Sequence, residues 1–415
     1  NTLTLATTTG KTANLTLSGA SGGVTFSGAA TNTSGDIVIG NNKTLITASA
    51  FTYTAGNVTV GGGSSGTWTC TGGCTKALGN VIVDAGATFT LGAAFTNTKG
   101  DFTVNGNTTF AQAFTMTQGT FSLASTKTLI LNANIEFASG CTCTMPSGAI
   151  INFNGGDLTI ATASTIAANI TLSAPTSLTI NAAVTLSDAN LIINQDITTA
   201  GTGVLTLSTT GQIHTESLTL GGTGGVTFSN AQTYNGGLTN TITVGDGTTL
   251  ITTGAWTNTS GNITVGGGTS GIWRCNGLFT KNGGDLTVAD GATITLGAAF
   301  DNTGGDVLFN SGTLQCGTAS THNFTMTGGD FTLGANKTLI LTGAGTLALN
   351  SFGALNAPNT TTIRCNGGNL TMGQVGIYPF NLTFAAATTL TINAAVILSD
   401  ANLIINQDIT TAGTG

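Results

Sequence analysis

The chain has 415 residues, of which only 9 are basic and 16 acidic, and its net charge is −7. No cluster of Lys and Arg is present to neutralise a phosphate backbone, which argues against nucleic-acid binding. No apolar run approaches the roughly 18 residues that cross a bilayer, so we predict no membrane span. The 62 glycines suggest disorder, but 40% of the residues are apolar. They alternate with Thr in short runs that a disordered chain would not maintain.

Short strands recur from the N-terminus at intervals of about twenty residues. Each unit starts with Gly, then usually Asp or Asn, then an apolar–x–apolar run. The first-half units are GDIVIG (35–40), GNVTVG (56–61), GNVIVD (79–84), GDFTVN (100–105), GTFSLA (119–124) and GDLTIA (156–161). Two further runs follow in most units, such as KTLIT (43–47) and AFTYT (50–54). Alternation with a period of two, with Gly, Asn and Asp at the joints, is typical of half-buried strands joined by tight turns.

The same pattern returns in the second half of the chain. Its units are GNITVG (261–266), GDLTVA (284–289), GDVLFN (305–310), GDFTLG (329–334) and GNLTMG (368–373). Residues 178–203 and 390–415 are identical except for Thr185 in the first and Ile397 in the second. We therefore predict two long β-solenoid repeats, 1–203 and 204–415, in one continuous rod. Their lengths differ through insertions in turns, one of them at 310–323.

Three short strands in about twenty residues cannot form a stable isolated sheet, but stacked coils can. Equivalent strands of successive coils would pair in parallel about 4.8 Å apart around one continuous apolar core. The sequence thus predicts an all-β protein, a single-stranded parallel β-solenoid. We expect about twenty coils of about twenty residues, three strands per coil and almost no helix.

The Asp or Asn after each Gly is expected to form a structural ladder at one corner of the solenoid. The predicted members are Asp36, Asn57, Asn80, Asp101, Asn262, Asp285, Asp306, Asp330 and Asn369. A mixture of Asp and Asn is favourable there, because a column of aspartates alone would repel while Asn amides bridge. We predict no cofactor, although weak calcium binding along this corner could occur.

Cysteine and tryptophan give two further candidates. Cys70 and Cys74 flank a Gly pair and could form a local disulfide; the alternative, expected for most of the seven cysteines, is a buried thiol. The chain's two histidines cannot complete zinc ligand sets. Trp68 and Trp273 occupy equivalent positions and could stack on a glycan if exposed. A structural role covering an enlarged turn is the preferred interpretation of both.

The repeated Gly-Asp/Asn-apolar-Thr-apolar units, with intervening strands such as ATFTL (87–91) and ATITL (292–296), resemble the β-solenoid shafts of secreted bacterial surface proteins. Filamentous-haemagglutinin-type adhesins and autotransporter passenger domains are similar in this respect. The resemblance extends over the whole chain and is one of repeat style. It implies a secreted, right-handed parallel β-helix at the cell surface that serves adhesion or fibre formation, and it assigns no functional residue.

The sequence also bears on function. Enzymes on parallel β-helices need clustered carboxylates, often with Arg or Lys, and no such cluster is evident, so we predict no enzyme. The preferred hypothesis is a structural repeat of an extracellular fibre, sheath or surface filament. Its expected partners are further copies of itself or further repeats, with a cell-surface or polysaccharide ligand as an additional candidate. The alternative is the stalk of an adhesin whose binding head lies elsewhere. An ice-binding solenoid, suggested by Thr-x-Thr triplets, or a polysaccharide-binding solenoid is less favoured.

Overall fold

The structure of the chain is a computed structural model. It describes residues 2–5, 14–63, 65–172, 176–186, 191–193, 197–207, 212–214, 216–237, 239–267, 270–399 and 402–414. Within these ranges the secondary structure consists of β-strands, with no helix. The strands pair in parallel between successive coils. The predicted all-β parallel solenoid is therefore confirmed, with about 18 turns instead of twenty.

The chain forms two compact units. The first comprises Asn1–Ile197 with Thr202–Leu205, and the second comprises Thr198–Gly201 with Thr206–Gly415. In each unit a coil contributes three strands in succession to three faces, which we number 1, 2 and 3. Corners are named by the two faces that they join. The faces are numbered separately in each unit. In the numbering of the first unit, the strands Ile197–Ala200 (face 2) and Leu205–Leu207 (face 3) lie where the units divide.

The strands of the first unit are short, and all three faces are parallel sheets. Face 1 contains Thr2–Leu5, Gly22–Phe26, Lys43–Thr47, Thr67–Cys70, Thr88–Leu91, Thr108–Phe110, Thr128–Leu131, Ile150–Phe153, Asn169–Leu172 and Leu191–Ile193. Face 2 contains Ala30–Asn32, Phe51–Tyr53, Cys74–Lys76, Phe95–Asn97, Leu158–Ile160 and Thr176–Ile180. Face 3 contains Leu15–Leu17, Ile37–Ile39, Val58–Val60, Val81–Val83, Phe102–Val104, Ser164–Ile166 and Val184–Leu186. Two longer strands, Phe114–Leu123 and Ile135–Thr144, run from face 2 onto face 3.

The second unit has the same three-faced organisation. Face 1 contains Val226–Phe228, Thr249–Thr252, Ile272–Cys275, Ala292–Leu296, Gly312–Cys316, Thr338–Gly343, Thr362–Asn366, Asn381–Phe384 and Leu403–Ile405. Face 2 contains Gln212–His214, Gln232–Asn235, Trp256–Ser260, Phe279–Lys281, Phe300–Asn302, Phe324–Met326, Thr346–Leu349, Asn369–Met372, Thr388–Ile392 and Ile409–Ala412. Face 3 contains Leu218–Leu220, Thr241–Val244, Asn262–Val265, Leu286–Val288, Val307–Phe309, Phe331–Leu333, Leu355–Asn356, Gly376–Tyr378 and Val396–Leu398.

The register shows where the coils differ in length. In the first unit Thr90 pairs with Thr109, a step of 19 residues. In the second unit Leu314 pairs with Leu341, a step of 27 residues. The long step contains the turn that follows strand Gly312–Cys316. The predicted insertion at 310–323 is wrong in its first part, because it includes this strand, and right in the part that follows Cys316. Additional residues are thus placed in a turn while the strands keep their register, as a solenoid permits.

Alternation along each strand separates core from surface. In Val58–Val60 and Val81–Val83 both valines are buried and the middle residue is partly exposed. In the first unit, phenylalanines from different faces contact one another in the core. Phe102, Phe114 and Phe121 are completely buried. Outward positions on face 2 carry a column of Thr, one per coil, as in Thr52 and Thr75. Burial of this apolar column is the main favourable term for a chain with so few charges.

Candidate functional site

The corner between faces 2 and 3 of the first unit carries a ladder of Asp and Asn side chains. Each accepts a hydrogen bond from a backbone N–H one coil further on. Asn57 N donates to Asp36 Oδ1 at 2.7 Å, and Asp101 N donates to Asn80 Oδ1 at 2.9 Å. The series runs Asn14, Asp36, Asn57, Asn80 and Asp101, and it ends on the amide of Thr120. The four residues predicted in this half therefore lie in one column.

The second unit has an equivalent ladder with a different composition. It runs Asn262, Asp285, Asp306 and Asp330, and it ends on the amide of Ala354. Three aspartates are consecutive here, so no Asn of the ladder lies between them to bridge. Each carboxylate instead accepts a backbone N–H at 2.7 to 2.9 Å, a charge-assisted bond that offsets repulsion between exposed neighbours.

Asn369 was wrongly placed in this ladder. It begins the face 2 strand Asn369–Met372 and pairs with Thr346 and not with a residue of face 3. Its Oδ1 accepts from Thr389 N at the corner between faces 1 and 2. The sequence GNLTMG resembles the ladder units, but here the turn at Gly367 and Gly368 directly follows a face 1 strand. The position above Asp330 is taken by Ala354.

Metal binding has little support at these corners. Among the residues that the structure describes, no group of three or more His, Cys, Asp and Glu side chains is arranged to hold a metal ion. The ladder carboxylates already accept backbone N–H groups. Weak calcium binding remains a prediction from sequence alone, without a defined set of ligands.

A second, interior column lies behind the ladder, and the repeat pattern of the sequence did not predict it. It is built from the third residue of successive face 2 strands: Asn32, Tyr53, Lys76 and Asn97 in the first unit, and Tyr234, Asn258, Lys281 and Asn302 in the second. All eight side chains are buried. The alternation of inward and outward residues could have indicated these positions. In a strand such as F-T-N, the third residue points to the same side as Phe, and that side faces the core.

This interior column hydrogen-bonds the backbone carbonyls of the corner glycines. Asn97 Nδ2 donates to Gly100 O at 2.7 Å, and Asn258 Nδ2 donates to Gly261 O at 3.0 Å. The Tyr53 hydroxyl contacts Gly35 O. Since an unpaired buried carbonyl is costly, these polar side chains make a tight corner compatible with a dry core. The corner is thus hydrogen-bonded by the Asx ladder outside and by the interior column inside.

Lys76 is a buried cation in this column, with about 1% of its surface exposed. Its Nζ donates to Leu78 O at 2.6 Å and Gly56 O at 3.3 Å, and it lies over the Tyr53 ring. Burial lowers the pKa of Lys76 to about 8. At Lys76 the folded protein therefore binds fewer protons than the unfolded chain between about pH 8 and 10.5, so the contribution of this residue to stability should rise with pH in that window.

This yields a prediction for Lys76→Met. The free energy of unfolding of wild type minus that of the variant should increase from pH 8 to 10.5, by on the order of 3 kcal/mol. Below pH 8 the difference should be flat, because the penalty for the charged amine is then fully present. Buried thiols change the pH dependence in the opposite direction; burial raises the pKa of Cys143, for example, to about 12. Their effect is the same in wild type and variant, so it cancels in the difference between the two free energies. Denaturant unfolding across this pH range measures it, and a pH-independent difference would contradict it.

Trp68 and Trp273 are interior residues, which corrects the glycan-stacking alternative. Each has about 1% of its surface exposed, on an inward position of face 1. Trp68 packs edge-on against Phe95 at 6.0 Å, and Trp273 packs edge-on against Phe279 at 4.7 Å. Neither ring is available to a sugar. The expectation that both tryptophans cover an enlarged turn is wrong as well, because their side chains fill the core.

Cys70 and Cys74 are both free thiols, in contact with each other and with Thr47. The disulfide considered from the sequence is not formed. Burial is the main cause that raises the pKa of Cys70, and hydrogen bonding from the Cys70 thiol lowers the pKa of Cys74. All seven cysteines are buried, in agreement with the expectation for most of them.

The thiols can be counted directly. We expect seven free thiols to react with a thiol reagent in denaturant without reductant, and slow reaction in the native protein because each is buried. A Cys70–Cys74 disulfide would lower the count by two, and reduction before denaturation would restore it. The reduced and denatured protein is the control.

The fold defines the class of protein: a parallel β-solenoid with two hydrogen-bonded columns at one corner. Comparisons with family models, curated proteins and solved structures gave no match to this chain. Among the described residues no helix is long and apolar enough to cross a membrane.

Proposed function

We propose that this chain is a structural repeat of an extracellular fibre, sheath or surface filament and that it catalyses no reaction. The observation that carries the proposal is the near-identity of residues 178–203 and 390–415 together with coils that stack in parallel in both units. Polar groups at the corners are used to hold coils together. The extracellular location is supported by the resemblance in repeat style to secreted bacterial shafts.

Further repeats of the same sequence are the proposed partners. In the first unit Ile180 and Val184 are buried, and Val184 N donates to Val204 O in the following coil. The corresponding residues of the second unit, Ile392 and Val396, are partly exposed. Nearby Ile405 is about half exposed. A coil such as the one that covers Val184 would bury this surface and pair its backbone.

The structure offers less support to the other candidates. An ice-binding surface wants a flat array of Thr-x-Thr in register on every coil. The Thr column on face 2 is a single file. On face 1, Thr67 and Thr69 are in register with Thr88 and Thr90, but the preceding coil carries Thr44 and Ile46 at these positions. A polysaccharide site based on Trp68 and Trp273 is excluded by their burial. An adhesin stalk would have the same coils, and it is distinguished by its location and by an attached binding head.

Assembly is the first test. We expect the purified chain to form filaments of uniform width whose length grows with concentration, visible by negative-stain microscopy and by sedimentation. Ile405→Asp should stop growth by placing a charge on the apolar surface at Leu403–Ile405. Val375→Asp, at a residue that is 71% exposed, is the control and should assemble. Monomers at every concentration, or no difference between these variants, would contradict stacking.

Location is tested separately, with an antibody to the folded repeat on intact cells that produce the protein. Labelling of long surface filaments would support the proposal. Labelling only after permeabilisation would refute an extracellular role, and labelling of stalks with distinct heads would favour the adhesin alternative.

A further inference from the structure

Cys70 and Cys74 lie on the two sides of the corner between faces 1 and 2. Cys70 ends the face 1 strand Thr67–Cys70, and Cys74 begins the face 2 strand Cys74–Lys76. Both side chains are buried, and the two thiols are in contact. Thr47, one coil earlier, is the register partner of Cys70, and its Oγ1 lies 3.5 Å from Cys74 Sγ. Two sulfurs and a hydroxyl thus converge inside this corner.

The second unit has the equivalent corner without the second sulfur. Cys275 ends a face 1 strand as Cys70 does, but Phe279 begins the face 2 strand that follows. The two register neighbours of Cys74 on face 2 are phenylalanines as well. A thiol therefore replaces an aromatic ring at Cys74, directly beside another thiol.

The indole of Trp68 is a further polar group in this part of the core. Its ring packs edge-on against the two phenylalanines that flank Cys74, with centroids 6.4 and 6.0 Å away, and its Nε1 is buried without a hydrogen-bond partner. In the second unit the equivalent Trp273 Nε1 donates to Thr252 Oγ1 at 3.2 Å. The corresponding hydroxyl of Thr47 contacts the Cys74 sulfur instead. The additional thiol is thus accompanied by an indole N–H that is buried and unpaired, which is costly in a dry core.

We propose that Cys70 and Cys74 together bind one soft monovalent cation of the Cu(I) type, held between their two sulfurs. Thiolates select Cu(I), which accepts two ligands in a line. Each thiol gives its proton to solvent as its sulfur binds, so Cu(I) and two thiols become a complex with one negative charge and two protons are released. Zinc takes four ligands, and within the described ranges no group of three or more His, Cys, Asp and Glu side chains could supply them.

The surroundings of the pair supply what a buried negative charge needs, which is hydrogen-bond donors. A thiolate can only accept, so the Thr47 hydroxyl beside Cys74 would act as a donor. The Trp68 N–H is a second donor in the same part of the core. Hydrogen bonding from the Cys70 thiol already lowers the pKa of Cys74, which favours the first deprotonation. The bound metal would join the end of a face 1 strand to the start of a face 2 strand and stabilise the fold by mass action.

Competition for Cu(I) tests the proposal. The full chain with reduced thiols is mixed with Cu(I) and a coloured Cu(I) chelator without oxygen, and the absorbance is followed until it is constant, because both thiols are buried. We expect wild type to withhold one Cu(I) per chain from the chelator. Cys74→Phe reproduces the corner of the second unit and should fold, but its affinity for Cu(I) should be at least about 100-fold lower. Cys275→Ala removes the thiol equivalent to Cys70 in the second unit; it is the matched control and should bind as wild type does.

Trp68→Phe examines the indole donor, since it keeps an aromatic ring and removes the N–H; the affinity for Cu(I) should fall by about 10-fold. Transfer of all Cu(I) from wild type to the chelator would overturn the proposal, whether or not the variants fold. Equal retention by wild type and folded Cys74→Phe would also overturn it, because the metal would then be held by other thiols. The inference does not depend on filament assembly, so Cu(I) binding by a monomeric chain would leave it intact while contradicting the proposed function.

Discussion

Gly329→Ala is expected to destabilise the second unit by at least about 4 kcal/mol. Gly329 lies at the corner between faces 2 and 3 with a φ of 72°. A Cβ there would lie 1.9 Å from Gly305 O in the preceding coil. That oxygen belongs to the backbone, so no side chain can rotate away to relieve the clash. The coils would have to separate locally and lose part of the corner's hydrogen bonding.

Gly247→Ala separates this steric effect from backbone strain. Gly247 has a φ of 70°, and a Cβ there meets no atom within 4 Å. Its replacement should cost only the left-handed backbone strain, about 1 kcal/mol. Denaturant unfolding of both variants, followed by circular dichroism, measures the difference. Similar destabilisation by the two substitutions would show that stacking at the corner is looser than the structure indicates.

The corner also shows what could be read from sequence. The Gly-Asp/Asn signal located tight turns in both halves, because Gly permits positive φ and Asx side chains bond to the nearby backbone. That pattern did not show at which of the three corners of the coil a given turn lies. GNLTMG at 368–373 has the ladder sequence but follows a face 1 strand. The face depends on how many strands precede the turn within its coil, and the six residues of a unit do not contain that information.

The interior positions could have been assigned from alternation alone. In T-W-T-C, Trp68 shares a side with Cys70, and both are buried. In C-T-K, Lys76 shares a side with Cys74, and again both are buried. Residue type was misleading, because Lys and Asn are rarely buried unless paired. Some of their partners are corner carbonyls two or three residues further along the chain. Others lie in neighbouring coils, and that pairing depends on the three-dimensional stack and is invisible in a single run of sequence.

Phe114→Ala should be the most disruptive substitution in the core of the first unit, with a loss of about 3–5 kcal/mol. Phe114 is completely buried in the core, where its ring contacts phenylalanines from all three faces. Its ring stacks on Phe110 with centroids 4.7 Å apart and packs edge-on against Phe102 at 5.0 Å. It also lies parallel to Phe95, one coil away, at 5.7 Å. Truncation removes contacts within and between coils at once.

The surrounding rings cannot collapse into the resulting space, because each is fixed by a strand in register with its neighbours. The loss should therefore fall towards the upper end of that range, since the cost grows with the cavity that remains. Leu78→Ala is the matched control in the same unit: Leu78 is 46% exposed, so we expect a loss below about 1 kcal/mol. Amide hydrogen exchange should show faster exchange in the strands flanking Phe114. A loss below about 1 kcal/mol for Phe114→Ala would mean that the aromatic column is not what holds the coils together.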